Sequence, residues 1–225
     1  MAKIHGVAGE WARIRGTVLG LWPLGLGLFI AGFAVAACIF NFRAWGVALL
    51  VVGLAIIGWS LNRGVRRVES FYVGARGEER VSNILRSLPD HYHVFNDYVA
   101  GGVHIDHIVV GPAGVFAIET KFWNGTVTVE DSRVLVDCRL PTRSPLKQVI
   151  REAGLVKAAL AKAGWNGDVT PVLAFASDTF LAHIAEVQGA VIINSCDLSR
   201  SFSTTRVIIA PNELERLVAI MEAEL

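Results

Sequence analysis

At 225 residues the chain has room for one ordinary domain and an appendage, because a single core uses roughly 100–200 residues, so a second full domain is excluded. A mean hydropathy of +0.48 is high for a water-soluble fold, and the charges are unevenly spread, as in a chain that meets both lipid and water. From Asn62 onward 17 Lys and Arg face 19 Asp and Glu, a balance of −2, which argues against strong nonspecific nucleic-acid binding by bulk charge.

The first element is an apolar run. Gly16 to Phe40 carries no charge and is long enough to cross a hydrocarbon core of about 30 Å. Asn41-Phe42-Arg43 leads into a second uncharged run, Ala44 to Leu61, with Trp45 and Trp59 near its ends where aromatic belts form. Two transmembrane helices, about 17–40 and 44–61, are predicted as a tight hairpin. The run is too long for the apolar part of a cleaved signal peptide. Lys3, Arg13 and Arg15 before the first span and Arg63, Arg66 and Arg67 after the second place both ends in the cytosol, at the inner face of the cytoplasmic membrane. Residues 1–67 thus read as an anchor and 68–225 as a cytosolic domain. Cys38, Cys138 and Cys196 have neither C-x-x-C spacing nor clustered histidines, and read as reduced structural thiols.

Gly74-Ala75-Arg76-Gly77 reads as a flexible entry to a helix in which Val81, Ile84, Leu85 and Leu88 recur at helical spacing, ending at Pro89-Asp90. Glu78 falls on the buried face of that helix and Glu79 on its solvent side. A strand over Tyr92–Tyr98 precedes the Gly101-Gly102 break. Two further strands, His104–Val110 and Val115–Lys121, form a hairpin around Gly111-Pro112-Ala113-Gly114. If Val110 faces Val115, Asp106 stands opposite Glu119, and Lys121 projects from the same face. Ile108, Val110, Val115 and Ala117 fill that side, and Ile105, Val109, Phe116 and Ile118 the other, so the hairpin is central and covered. Opposed carboxylates at about 5 Å repel unless a cation or proton lies between them. Hard oxygen donors favour Mg2+ or Mn2+.

Short strands near Thr126–Glu130 and Arg133–Cys138 follow Trp123-Asn124-Gly125. Ser144 caps a helix with Pro145 in its first turn and Leu146, Val149, Ile150, Ala153, Val156 and Leu160 on its apolar face, ending near Gly164. Val169–Ala176 and Ala190–Ile193 read as buried strands, and Pro211-Asn212-Glu213 opens a last helix that reaches the C-terminus. The order predicts an α/β mixed sheet flanked by helices, preceded by the two transmembrane helices.

The segments Gly74 to Glu79, Ile105 to Val115, Ile118-Glu119-Thr120-Lys121, Trp123-Asn124-Gly125 and Ser144 to Gln148 together resemble the nuclease-related domain (NERD) family of the restriction-endonuclease-like PD-(D/E)xK superfamily. The likeness covers about Tyr72 to Leu160. It implies a core helix supplying Glu78, a strand supplying Asp106, the next supplying Glu119 and Lys121, and a later helix supplying Gln148.

The function expected is metal-dependent phosphodiester cleavage of DNA or RNA. Asp106 and Glu119 would ligate the metal, with Glu78 completing its shell, and Lys121 would orient or help activate a water, aided by a lowered pKa. Gln148 would position phosphate or water. His104 shares the face of Asp106 and is placed to touch substrate, whereas His107 falls on the opposite face as a core residue. Arg139, Arg143, Lys147 and Arg151 form a basic rim for substrate. The alternative is a catalytically inactive module that binds nucleic acid or protein at the membrane. Strandedness of the target and oligomeric state are left open by the sequence.

Overall fold

The computed structural model describes residues 1–40, 43–204 and 208–223. It divides into two compact units, Glu10–Ala75 and Met1–Gly9 with Arg76–Leu225. Asn41 and Phe42 of the expected hairpin link, and the last two residues of the expected C-terminal helix, lie outside the described residues.

The unit Glu10–Ala75 is helical. Helix α1 (Glu10–Ile39) starts seven residues before the predicted span, and α2 (Arg43–Trp59) runs through one π-helical turn (Ser60–Gly64) into α3 (Val65–Leu85). The stretches Glu10–Ile39 and Ala44–Leu85 are each long and apolar enough to cross a membrane. Their large apolar side chains, Phe29, Phe33 and Trp45 among them, face outward, while Gly16, Gly20, Gly27 and Ala34 are buried. Glycine is needed where backbones meet. A Cβ on Gly20 would lie 2.3 Å from Val68 Cγ2 and 2.9 Å from the Gly64 carbonyl oxygen. The expected flexible entry at residues 74–77 is instead continuous helix. Extending an existing helix needs no new nucleus, so two glycines at about 1 kcal/mol each do not break it. At Gly77 there is also a packing reason, since a Cβ there would meet Phe122 Cβ at 2.8 Å.

The other unit is a seven-stranded mixed sheet in the order β1-β2-β3-β4-β7-β9-β8, with the β5–β6 pair apart. Its strands are β1 (Lys3–His5), β2 (His93–Ala100), β3 (Val103–Gly111), β4 (Gly114–Lys121), β5 (Val127–Glu130), β6 (Arg133–Val136), β7 (Val169–Phe175), β8 (Ile184–Val187) and β9 (Ala190–Asn194). Helices α4 (Pro145–Lys162), α5 (Ser195–Thr204) and α6 (Pro211–Glu222) complete it. Ser144 caps α4 as expected, its hydroxyl accepting from Lys147 N at 3.3 Å. One face of the sheet packs Val110, Val115 and Ala117 against Val156, Leu160, Leu217 and Met221 from α4 and α6. The opposite face packs Val94, Val109, Phe116 and Ile118 against Val81 and Leu85 of α3 and Leu198 and Phe202 of α5.

Strands β1 and β8 and helix α5 have no counterpart in the sequence reading. Strand β1 pairs in parallel with β2 (Lys3 with His93, His5 with Phe95), so Met1–Gly9 is part of the sheet rather than of an anchor ending at residue 67. Three residues carry no readable periodicity. Ser195 and Thr204 bound a helix that is polar on average, which hid α5. The three cysteines are free as expected, but Cys138 and Cys196 are exposed rather than structural.

The β3–β4 hairpin has the expected register, Val110 opposite Val115, with the loop tightened to Pro112-Ala113 because Gly111 and Gly114 still pair. The alternation in β3 does not persist. Ile105 lies in the same core layer as Ile108 and Val110, not with Val109 as predicted. Strand β2 shows the same slip, with Phe95 and Tyr98 in one layer. Between these pairs Asp97 has φ 51°, and neither Asp97 nor Asp106 belongs to the paired register that resumes on both sides. Two opposed carboxylates therefore share one break in the ladder, a bulge-like departure that re-aims side chains.

Candidate functional site

The break in β2 and β3 opens the sheet beside the end of β4. There the Thr120 N–H donates to Asp106 Oδ2 at 2.7 Å, which seats the Asp106 carboxylate alongside Glu119 although the two are not a ladder pair. Glu119 is buried and forms an ion pair with Lys121 Nζ, two residues on along the same face. Gln148 on α4 bridges the next layer, its Oε1 accepting from Lys121 Nζ at 3.4 Å and its Nε2 donating to Glu152 Oε1 at 2.9 Å. From α3, Glu78 reaches the same cluster and accepts from the Gly9 N–H, while Asp97 and Glu119 repel it.

The electrostatics follow from this crowding. Burial first, then Asp97 and Glu119, push the Glu78 carboxyl up to about 8. Burial, then Glu119 and Glu78, hold Asp106 well above its ordinary range. Burial and Glu119 raise Glu152 to about 8, and its Oε2 is buried with no hydrogen-bond partner among the described residues. Burial alone would lower the pKa of Lys121, but Glu119 and Asp106 outweigh burial and hold it above the usual lysine value, which favours the ammonium among these acids.

The structure thus brings together Glu78, Asp106, Glu119, Lys121 and Gln148. It adds two groups that the sequence reading did not select. Asp97 was reachable by arithmetic, because Gly101-Gly102 as a two-residue turn pairs Ala100 with Val103 and places residue 97 opposite 106. Glu152 was reachable as well, three residues after Val149 and four before Val156 on the buried face of α4.

Other expected residues lie elsewhere. Since Ile105 and Tyr98 point into the α4–α6 layer, alternation turns His104 and its partner Val99 to the other side, so the parity that gave His104 the face of Asp106 fails at the break. His107 is fully buried on the α3 side as expected. Its Nδ1 pairs with Asn96 Oδ1 at 2.7 Å, and burial drops its pKa to about 3, leaving it neutral. Glu79, expected in solvent, is half-buried and lines a cavity of about 320 Å3 with Gly6 and Ala8, because the unforeseen N-terminal segment covers it. Of the basic rim, Arg143 lines an open cleft of about 650 Å3 with Lys121, Trp123, Asn124 and Gln148. Lys147 lines a different cavity with Arg133 and Leu140, and Arg139 and Arg151 are exposed and line neither.

Carboxylate oxygens from Glu78, Asp106 and Glu119 are the donor set that hard divalent cations take. Each already has a partner: Gly9 N–H for Glu78, Thr120 N–H for Asp106 and Lys121 for Glu119. One lysine does not balance five neighbouring acids, and the raised pKa values express that deficit of positive charge. In comparisons with known proteins, the family model described as nuclease-related domain matches residues 73–176. Neither curated proteins nor solved structures gave a match.

Proposed function

We propose, from the match of residues 73–176 to the family model described as nuclease-related domain, that the chain is a membrane-tethered, metal-dependent nuclease that hydrolyses phosphodiesters of DNA or RNA. The observation that carries this reading is the convergence of Glu78, Asp106 and Glu119, from one helix and two adjacent strands, on a single ammonium beside an open cleft. Five acids crowded around one lysine, three of them (Glu78, Asp106 and Glu152) with raised proton affinity, are costly in water alone and match a divalent cation of the Mg2+ or Mn2+ class. Asp106 and Glu119 hold it, with Glu78 beside them. When bound, such an ion supplies Lewis-acid polarisation of a phosphoryl oxygen and a more acidic water.

The chain's own groups do the rest. Lys121, kept charged by Glu119 and Asp106, offsets the negative charge that grows on the phosphoryl oxygens in the transition state. Gln148 fixes the ammonium from the side of α4, which makes it a positioning residue for Lys121. Arg143 flanks the cleft as the nearest basic contact for a phosphate backbone. The outward apolar surface of α1 and α2 supports tethering, and the inclusion of Met1–Gly9 in the sheet supports a hairpin that returns the chain to one side of the bilayer. The flanking cations make that side cytosolic.

The test is magnesium or manganese binding to the detergent-solubilised chain by calorimetry, with metal-dependent nicking of supercoiled plasmid. Asp106→Asn and Glu119→Gln should each remove both. Metal binding without cleavage of DNA or RNA by the native chain returns the domain to a binding module.

A further inference from the structure

A second cluster of chemically able side chains lies away from these acids. His5 on β1, His93 on β2 and Glu222 at the end of α6 each offer a donor atom within 4.8 Å of the other two. His5 Nε2 and His93 Nδ1 are 3.1 Å apart, and His5 Nδ1 is 3.5 Å from Glu222 Oε1. Metal–nitrogen and metal–oxygen bonds of about 2.0–2.2 Å at a tetrahedral ion put neighbouring ligand atoms roughly 3.3 Å apart, close to the His5–His93 spacing. One ion takes a single nitrogen of His5, so the His5 and Glu222 donors, within 4.8 Å of each other, close up slightly on binding. The three residues come from positions 5, 93 and 222, and the β1–β2 pairing, not local sequence, brings the histidines together. His5 is also fixed by stacking on Phe95, ring centroids 4.4 Å apart.

We propose that His5, His93 and Glu222 form a binding site for a transition-metal cation of the zinc class, which clamps the N-terminal strand to the sheet. Two imidazoles and one carboxylate are a common three-ligand zinc set, with water in the fourth position. They differ in kind from the all-oxygen set at Asp106, so the two sites select different cations. The clamp has a reach beyond itself. β1 continues through Gly6 and Gly9, both with φ near +74°, and the Gly9 N–H holds the Glu78 carboxylate. A cation that locks His5 therefore steadies the strand from which that N–H is presented.

The experiment is titration of the untagged, detergent-solubilised full chain with Zn2+ by calorimetry, and with Co2+ by visible absorption, in saturating Mg2+. One site per chain is expected. His93→Ala and the conservative Glu222→Gln should each weaken it, the histidine loss by more than about 100-fold, beyond what loss of an outer-shell partner costs. Asp106→Asn should leave it intact, as should Cys196→Ser, which removes a ligand from the separate group His183, Cys196 and Asp197. Zn2+ should also slow amide hydrogen exchange across Lys3–His5. No binding at about 100 μM, or binding indifferent to both His93→Ala and Glu222→Gln, overturns the site. Unchanged exchange at Lys3–His5 with zinc bound overturns the clamp.

Discussion

The two units invert one another. In Glu10–Ala75 the large apolar side chains face out and Gly16, Gly20, Gly27, Gly46, Gly53 and Gly64 are buried, whereas in the sheet unit the apolar side chains are inside and carboxylates are buried with them. Outward Phe29 and Phe33 cost free energy in water, and so do Asp106, Glu119 and Glu152 crowded around one lysine. Under the proposed function each unit meets something other than water: hydrocarbon in one case, a cation and a phosphate in the other. The apolar surplus is spread over some 50 residues, while the charge deficit is concentrated in about seven, so the second is the easier to break by single substitutions.

The largest expected effect lies in that concentrated site. Asp106→Asn or Glu119→Gln should cut metal-dependent nicking by about 10³-fold or more while leaving the helical unit unaffected by circular dichroism. The same acids set a pH dependence. Glu78 and Glu152 release their protons near 8 in the folded chain against an ordinary value of 4.5, so between those values the folded state binds more protons than the unfolded. Stability therefore falls as pH rises through that window. With a chelator present, thermal unfolding of the sheet unit should come several degrees lower near pH 9 than near pH 5, each kcal/mol shifting it by about 2–4 °C. Mg2+ should restore the loss at high pH. A flat profile would mean the acids do not share a pocket.

Gly20→Leu tests the other side of the comparison. The Cβ alone would sit 2.3 Å from Val68 Cγ2, so overpacking should cost about 1–3 kcal/mol in detergent, read from helix loss on heating, with nicking unchanged. The smallest effect is expected at the cleft rim. Arg143→Ala should weaken nucleic-acid binding by about fivefold and lower the salt slope by about one, and Lys147→Ala, in a separate cavity, should do less. Equal losses would put the substrate across both cavities.

The site was more legible than the frame around it. A turn of known length fixes hairpin register, so Val110 opposite Val115 led directly to Asp106 beside Glu119. Strict alternation then misled, because Asp97 and Asp106 interrupt the ladder and every parity count crossing them slips by one, taking Ile105 and His104 with it. Glu152 was hidden by a different habit: a list of apolar residues on α4 passes over the acid among them. Strand β1 could not be read at all. Its three residues are strand only because β2 offers an edge 88 positions later.

That last pairing sets a delay in the life of each new chain. Lys3–His5 is made before its partner and has nothing to pair with until His93–Ala100 has been made. At roughly 5–20 residues per second this is a wait of about 4–18 s, during which both apolar helices leave the ribosome. Strand β1 can therefore join the sheet only once β2 exists, and Ala2, buried in the finished fold, stays in contact with water until then.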